Sequence, residues 1–261
     1  MSRRARAAFF DVDKTLLPGS CLYPLARAMY RAGWYTAREL LGFMVSQVAF
    51  RVSGTESGKR MESAREAALA FIAGRRRDEL EPLANGLVEA VIGPRVYPGI
   101  REVIDAHHAH GDRTFLVTAA PEGVASRLAA YLRMDGALGT RAECVDGVYT
   151  GRLLGPVLHG PAKLRAVREL AARERIDLAL CSAYSDSVND RPLLEGVGHP
   201  VAVNPDRMLR RLAVERAWPV RDFRSQRRLL LWGPSLVGAV AAGEVTRRAL
   251  RRRQPGPRAR G

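Results

Sequence analysis

Asp11 and Asp13 stand two residues apart at the end of the short apolar run Ala7 to Val12. Along a strand, residues i and i+2 project to one side, so the two carboxylates converge where the strand opens into its loop. Adjacent carboxylates repel strongly unless a divalent cation neutralises them, and hard oxygen ligands select magnesium-type metals. Aspartates at a strand end also serve Asx turns and helix caps, and the pair alone does not choose. Far downstream, Ser185-Asp186-Ser187 follows the apolar run Leu178 to Ala183, and Asp190 comes one helical turn after Asp186. If both runs are parallel strands, these acids meet Asp11 at the carboxyl edge of the sheet, where open α/β sheets bind ligands. Capping of the following helix by Asp186 is compatible with metal ligation. Thr118 ends the run Thr114 to Thr118 and offers a hydroxyl to an anionic oxygen, beside the free N–H groups of a helix beginning at Glu122. Lys163 opens a helix after Gly160-Pro161, where the helix dipole mildly opposes a cation. A cation placed there suggests another partner, such as a phosphate and a nucleophilic carboxylate, although a strand-ending Thr is common and Lys is usually a solvated surface residue.

The elements that must position these groups are legible in the periodicity. Ala7 to Val12 reads as a buried parallel strand. Helical patterns follow at Cys21 to Arg31, Ala37 to Val52, Lys59 to Ala73 and Asp78 to Ile92, separated by Gly33, Gly54 and Gly74. After the Gly93-Pro94 and Pro98-Gly99 breaks, a helix (Ile100 to His110), a strand (Thr114 to Thr118) and a helix (Glu122 to Leu132) alternate in the α/β manner. Asp146-Gly147 divides Ala142 to Leu154 into a hairpin. A helix (Pro161 to Arg173), a strand (Leu178 to Ala183), a short helix (Val188 to Leu194) and a last strand (Val201 to Val203) complete the pattern. The fold class is thus α/β, a Rossmann-like parallel sheet core with a helical insertion after the first strand and a small β-hairpin. The expected division is a discontinuous core (1–17 and 93–222), a helical cap (18–92) and a basic, partly apolar C-terminal segment (223–261).

Of 261 residues, 47% are hydrophobic and 26% charged, the composition of an ordered protein. The formal charge of +15 is concentrated late in the chain: from Arg207 onward fifteen Arg face three acids, a net +12, leaving +3 for residues 1–206. No aromatic interleaving or nucleic-acid motif accompanies these arginines, so a nucleic-acid partner is not expected. A solvated Arg-rich tail and contact with anionic lipid headgroups both fit. Leu229 to Gly243 is apolar and bracketed by Arg227-Arg228 and Arg247-Arg248. As a helix it would extend roughly 22 Å, short of the ~30 Å hydrocarbon core, so interfacial docking or packing on the protein body is expected rather than a full span. Cys21, Cys144 and Cys181 are odd in number and lack metal-ligand spacing, which points to a reducing cytoplasm. The apolar run after Arg3, Arg4 and Arg6 is interrupted by Asp11 and Asp13, so no export signal is read there.

Phe9-Phe10-Asp11-Val12-Asp13-Lys14-Thr15-Leu16 resembles the first motif of the haloacid dehalogenase superfamily, Asp-x-Asp-x-Thr after an apolar strand. Leu116-Val117-Thr118-Ala119-Ala120-Pro121-Glu122 resembles the second motif, Lys163 the third, and Tyr184-Ser185-Asp186-Ser187-Val188-Asn189-Asp190 the fourth. The motifs occur in the family's order over about Ala7 to Val220, and the helical insertion is similar to the cap of the phosphoserine-phosphatase-like subclass. That resemblance implies a Mg2+-dependent phosphatase in which Asp11 is the nucleophile and Asp13 the general acid and base. By the same resemblance Thr118 and Lys163 bind phosphate, Asp11, Asp13 and Asp186 hold the metal, Asp13 through its backbone carbonyl, and Asp190 supports them.

Two positions depart from the pattern. Phosphoserine phosphatases typically carry an acid shortly after the first motif, whereas Leu16-Leu17-Pro18-Gly19-Ser20 has none, which favours a neutral or lipid-like leaving group over phosphoserine. Ser185 stands where Gly is usual. The expected partner is a small or lipid-like phosphomonoester, with peripheral membrane contact through residues 224–253. The competing readings are a phosphotransferase or mutase on the same fold, and a non-catalytic regulatory protein at the membrane surface. The intact acid set disfavours the last.

Overall fold

Ala7, Ala8, Phe9 and Phe10 are apolar on both sides of the chain, and strand β1 (Ala7–Phe10) is accordingly buried on both faces. The computed structural model describes residues 5–33 and 72–226. Among these, β1 sits in a six-stranded sheet with β2 (Arg113–Pro121), β3 (Gly136–Thr140), β6 (Ser182–Ser185), β7 (His199–Val203) and β8 (Val220–Arg221). The order is β3-β2-β1-β6-β7-β8, with every pair parallel. Phe10 pairs with Leu116 on one side and Tyr184 on the other. The sheet grows in opposite directions from β1, so the carboxyl end of β1 is the topological switch point and opens a crevice between β2 and β6.

Alternation along the strands assigns the two faces. Ala7 and Phe9, with Phe115, Val117 and Ala183, pack against α5 (Pro161–Glu174), α6 (Arg191–Glu195) and α7 (Arg207–Glu215) through Val167, Leu170, Leu193, Leu194, Leu209 and Leu212. Phe10 and Tyr184 point the other way, their rings stacked at 4.5 Å, and meet His107 of α3 (Pro98–Ala109) edge-on. His107 links Tyr184 Oη (2.7 Å) to Asp112 (2.8 Å). Beside α3 lies α4 (Glu122–Tyr131), with Arg101 over the Tyr131 ring.

Between β1 and α3 the described helices are α1 (Leu22–Arg31) and α2 (Arg77–Leu87). The latter loosens into a π-helical turn (Val88–Ile92) and a 3-10 turn (Gly93–Arg95) before α3. The helix expected at 37–52 lies outside the described residues. So does most of that expected at 59–73, whose last two residues, Ile72 and Ala73, form a turn. The hairpin forms as β4 (Ala142–Val145) and β5 (Val148–Leu153), with Asp146 and Gly147 both at positive φ, the conformation that two-residue hairpin loops require. It also pairs with the entry to α2: Gly74 N donates to Tyr149 O and Tyr149 N to Arg75 O, at 2.8 and 2.9 Å.

One expected strand is displaced. Leu178–Leu180 is a 3-10 turn, because the Asp177 carboxylate caps it by accepting from Ala179 N, and the strand runs instead over Ser182–Ser185. The shift carries Ser185 into the sheet itself and leaves Asp186 as the first residue beyond it. Neither α7 nor β8 had been expected; the first is an Arg-rich stretch and the second only two residues long. The chain divides into two compact units, Met1–Phe223 and Arg224–Gly261; within the second, Arg224–Gln226 forms a 3-10 turn. The apolar segment Leu229 to Gly243 lies outside the described residues. No helix among the described residues is long and apolar enough to cross a membrane.

Candidate active site

Asp11 follows β1 directly and extends its ladder, its N–H donating to Tyr184 O at 2.9 Å. It shares the parity of Ala7 and Phe9 and so lies on the α5 side of the sheet, where Lys163 opens that helix. Gly160 precedes the helix at φ 54° and ψ −125°, a conformation in which an L side chain is strained. The turn delivers Lys163 into the crevice, 3% exposed, with Nζ donating to Asp11 Oδ1 at 2.6 Å and to Asp190 Oδ2 at 2.7 Å. The other Asp11 oxygen accepts from the buried Thr15 hydroxyl at 3.0 Å. Thr15 lies within the first motif, and the four-residue spacing from Asp11 was the available signal for this contact.

The second acid group closes the same rim. Asp190 Oδ2 also accepts from Ser185 Oγ at 2.7 Å, so Asp190 anchors the lysine. Asp186 is buried, and among the described residues its carboxylate accepts no hydrogen bond. Burial first, and then repulsion from Asp11, push its pKa to about 7, with Lys14 acting in the opposite sense. Asp11 is pushed to about 6, chiefly by burial; Lys163 works against this, while Asp190 and Asp13 reinforce it. Burial alone would lower the Lys163 pKa, but Asp11 and Asp190 together outweigh it and hold the ammonium raised. Of the three buried carboxylates, Asp11 and Asp190 hold the Lys163 ammonium, and Asp186 has no such partner among the described residues.

Asp13 and Thr118 reach the rim without touching that cluster. The Asp13 carboxylate accepts from Ser20 Oγ at 2.5 Å and Cys21 N at 2.9 Å, tying the first motif to the start of α1. Its backbone carbonyl accepts no hydrogen bond among the described residues. Thr118, 2% exposed, accepts from Ala120 N at 3.1 Å and bonds to neither Asp11 nor Lys163. Asn204, which carried no signal in the sequence, ties two loops together by donating to Lys14 O and accepting from Phe223 N, at 2.9 and 2.7 Å.

Among the described residues no three carboxylate, imidazole or thiol groups close around a metal unaided. The hard donors near one another are the Asp11 and Asp186 carboxylates, close enough for Asp11 to raise the Asp186 pKa. One or two carboxylates completed by water or phosphate oxygens suit Mg2+. A divalent cation would also offset the surplus negative charge.

A buried carboxylate at the switch point of a parallel sheet, clamped to a buried lysine, is the arrangement of an α/β enzyme site. The family profile described as haloacid dehalogenase-like hydrolase matches residues 8–195. The chain belongs to that family, in its phosphoserine-phosphatase-like subclass. It is 44% identical over 249 residues to phosphoserine phosphatase SerB1 of Mycobacterium tuberculosis, covering 95% of this chain and 81% of that protein. A crystal structure of a protein of unknown function from Bordetella pertussis Tohama I is similar at TM-score 0.74 and 32% identity, over 85% of this chain and all of that one. A substrate-bound phosphoserine phosphatase shares the fold at TM-score 0.59 and 18% identity, over 87% and 99% of the two chains.

Proposed function

We propose that the chain is a phosphomonoester hydrolase that works through an aspartyl-phosphate on Asp11. The observation that carries this reading is the buried clamp Asp11–Lys163–Asp190 at the switch point of the sheet. An Asp11 carboxylate oxygen attacks phosphorus while the ester oxygen departs, splitting a difficult hydrolysis into two easier displacements. Asp13 gives a proton to the departing alkoxide and then takes one from the water that attacks the acyl phosphate, releasing phosphate and restoring Asp11. Its position is supported by the bonds from Ser20 and Cys21, and its charge is close enough to act on Asp11. Lys163 offsets charge on the nucleophile and phosphoryl oxygens, and Thr118 offers its hydroxyl proton to one of them. Mg2+, held by the Asp11 and Asp186 carboxylates and the Asp13 carbonyl, supplies further positive charge at the phosphoryl group when bound.

The turn after the first motif carries no acid from Leu16 to Ser20, and Leu16 and Leu17 are buried. A neutral or lipid-like leaving group suits this turn better than the ammonium of phosphoserine, even though a close relative bears the name phosphoserine phosphatase. In this reading residues 18–92 form the cap over the site, and the basic segment 224–253 touches the membrane surface from the cytoplasmic side. Phosphate release from a panel of phosphomonoesters, with Mg2+ and with chelator, tests the function. Wild type should turn over only with metal, and Asp11→Asn should lose turnover while staying folded. Equal rates for the two proteins would overturn the assignment, and release that depends on an added alcohol or sugar acceptor would favour a phosphotransferase. Sedimentation with anionic liposomes, comparing the full chain with a truncation before Arg224, tests the membrane contact; equal recovery in the supernatant would end that part of the reading.

A further inference from the structure

We propose that Ser185 is a positioning residue for phosphoryl transfer: through Asp190 it aims the Lys163 ammonium at Asp11. The proposal rests on the function proposed above and adds a residue to it. Ser185 is fully buried at the end of β6, a strand paired with β1 on one side and, at Ser185 itself, with Ala202 of β7 on the other. It has the parity of Ala183, which packs toward α5, so its side chain points to the Lys163 side of the sheet. Its hydroxyl donates to Asp190 Oδ2 at 2.7 Å and accepts from Ser187 N at 3.3 Å.

Three charge-assisted hydrogen bonds therefore run in series, Ser185 to Asp190, Lys163 to Asp190 and Lys163 to Asp11, at 2.7, 2.7 and 2.6 Å. Their two ends are anchored in neighbouring strands, while both middle members need anchoring. Asp190 lies on a 3-10 turn, and Lys163 has four rotatable side-chain bonds. Both bonds to Asp190 fall on the same oxygen, so the serine sets where that oxygen sits and hence where the ammonium is drawn. Glycine at position 185 would leave the oxygen held by Lys163 alone.

Displacement of a catalytic group by about 1 Å costs on the order of 100-fold in rate. With p-nitrophenyl phosphate and Mg2+, Ser185→Ala should lower kcat by roughly ten- to a hundred-fold and leave KM nearly unchanged, because the hydroxyl does not touch substrate. Ser185→Gly removes the hydroxyl without adding bulk and should show the same loss, so it provides the measurement if the alanine variant does not fold. The decisive readout is a double-mutant cycle with Asp190→Asn. A serine acting through Asp190 loses most of its effect once that carboxylate is gone, whereas a merely structural role lowers kcat equally in both backgrounds. Equal losses in the two backgrounds, or a folded Ser185 variant with wild-type kcat, would overturn the proposal. Failure of wild type to hydrolyse any phosphomonoester would instead sink the function on which it rests.

Discussion

Replacing Asp186 by Asn should make the metal-free protein more stable, by an amount that grows with pH. In the folded chain the Asp186 carboxyl has a pKa of about 7 against an ordinary 3.8, because it is buried and faces Asp11. A raised folded-state pKa means that the folded protein binds the proton more tightly than the unfolded chain. The associated stability is complete below about pH 4 and is lost as the pH rises through 7. At 1.36 kcal/mol per unit, the ionised carboxylate costs the metal-free fold about 4 kcal/mol at pH 8. Asn keeps the shape without the charge, so the variant should exceed wild type by a few kcal/mol at pH 8 in chelator and match it near pH 4. Carboxylates held low by partners, such as Glu143 beside Thr150 and Arg152 and Glu174 beside Arg113, slope the other way but are common to both proteins and cancel in the difference. Urea unfolding followed by tryptophan fluorescence at pH 4.5, 6 and 8, with EDTA and with Mg2+, gives that difference directly. Mg2+ should stabilise wild type at pH 8 and have little effect on the variant. A variant less stable than wild type at pH 8 in EDTA would refute the buried-charge argument, and one equally stabilised by Mg2+ would refute Asp186 as a residue that would hold the metal.

Lys163→Met should destabilise the fold by about 3–5 kcal/mol, since it strands the Asp11 and Asp190 carboxylates without their cation. Equilibrium unfolding at pH 8 measures this, and the loss should shrink in an Asp190→Asn background. Gly160→Ala places a Cβ on a backbone at φ 54° and ψ −125° and should cost about 1–3 kcal/mol. Because the strain falls at the N-terminus of the helix bearing Lys163, kcat should drop as well, which a thermal melt and a rate measurement on the same preparation would show.

Most of the scaffold is legible in the sequence, as is the placement of the candidate acids at strand ends. Short apolar runs ending in acids at Asp11 and Asp186 define buried strands with a polar rim, and periodicity distinguishes them from the helices between. Asp146-Gly147 specifies its turn because few residues tolerate positive φ at two successive positions. These are local properties, written in neighbouring residues. Strand order, and with it the switch point beside Asp11, depends on which runs pair across a hundred or more residues, and so belongs to the tertiary structure. So does the boundary of β6, where the Asp177 cap prevailed over an apolar pattern that reads equally well as strand. The most consequential case is Ser185. In the sequence it is a small change beside two aspartates; only packing brings its hydroxyl, the Lys163 ammonium and one oxygen of Asp190 to a single point. Such a contact has no periodicity and no spacing, because it joins side chains whose separation along the chain is unrelated to their separation in space.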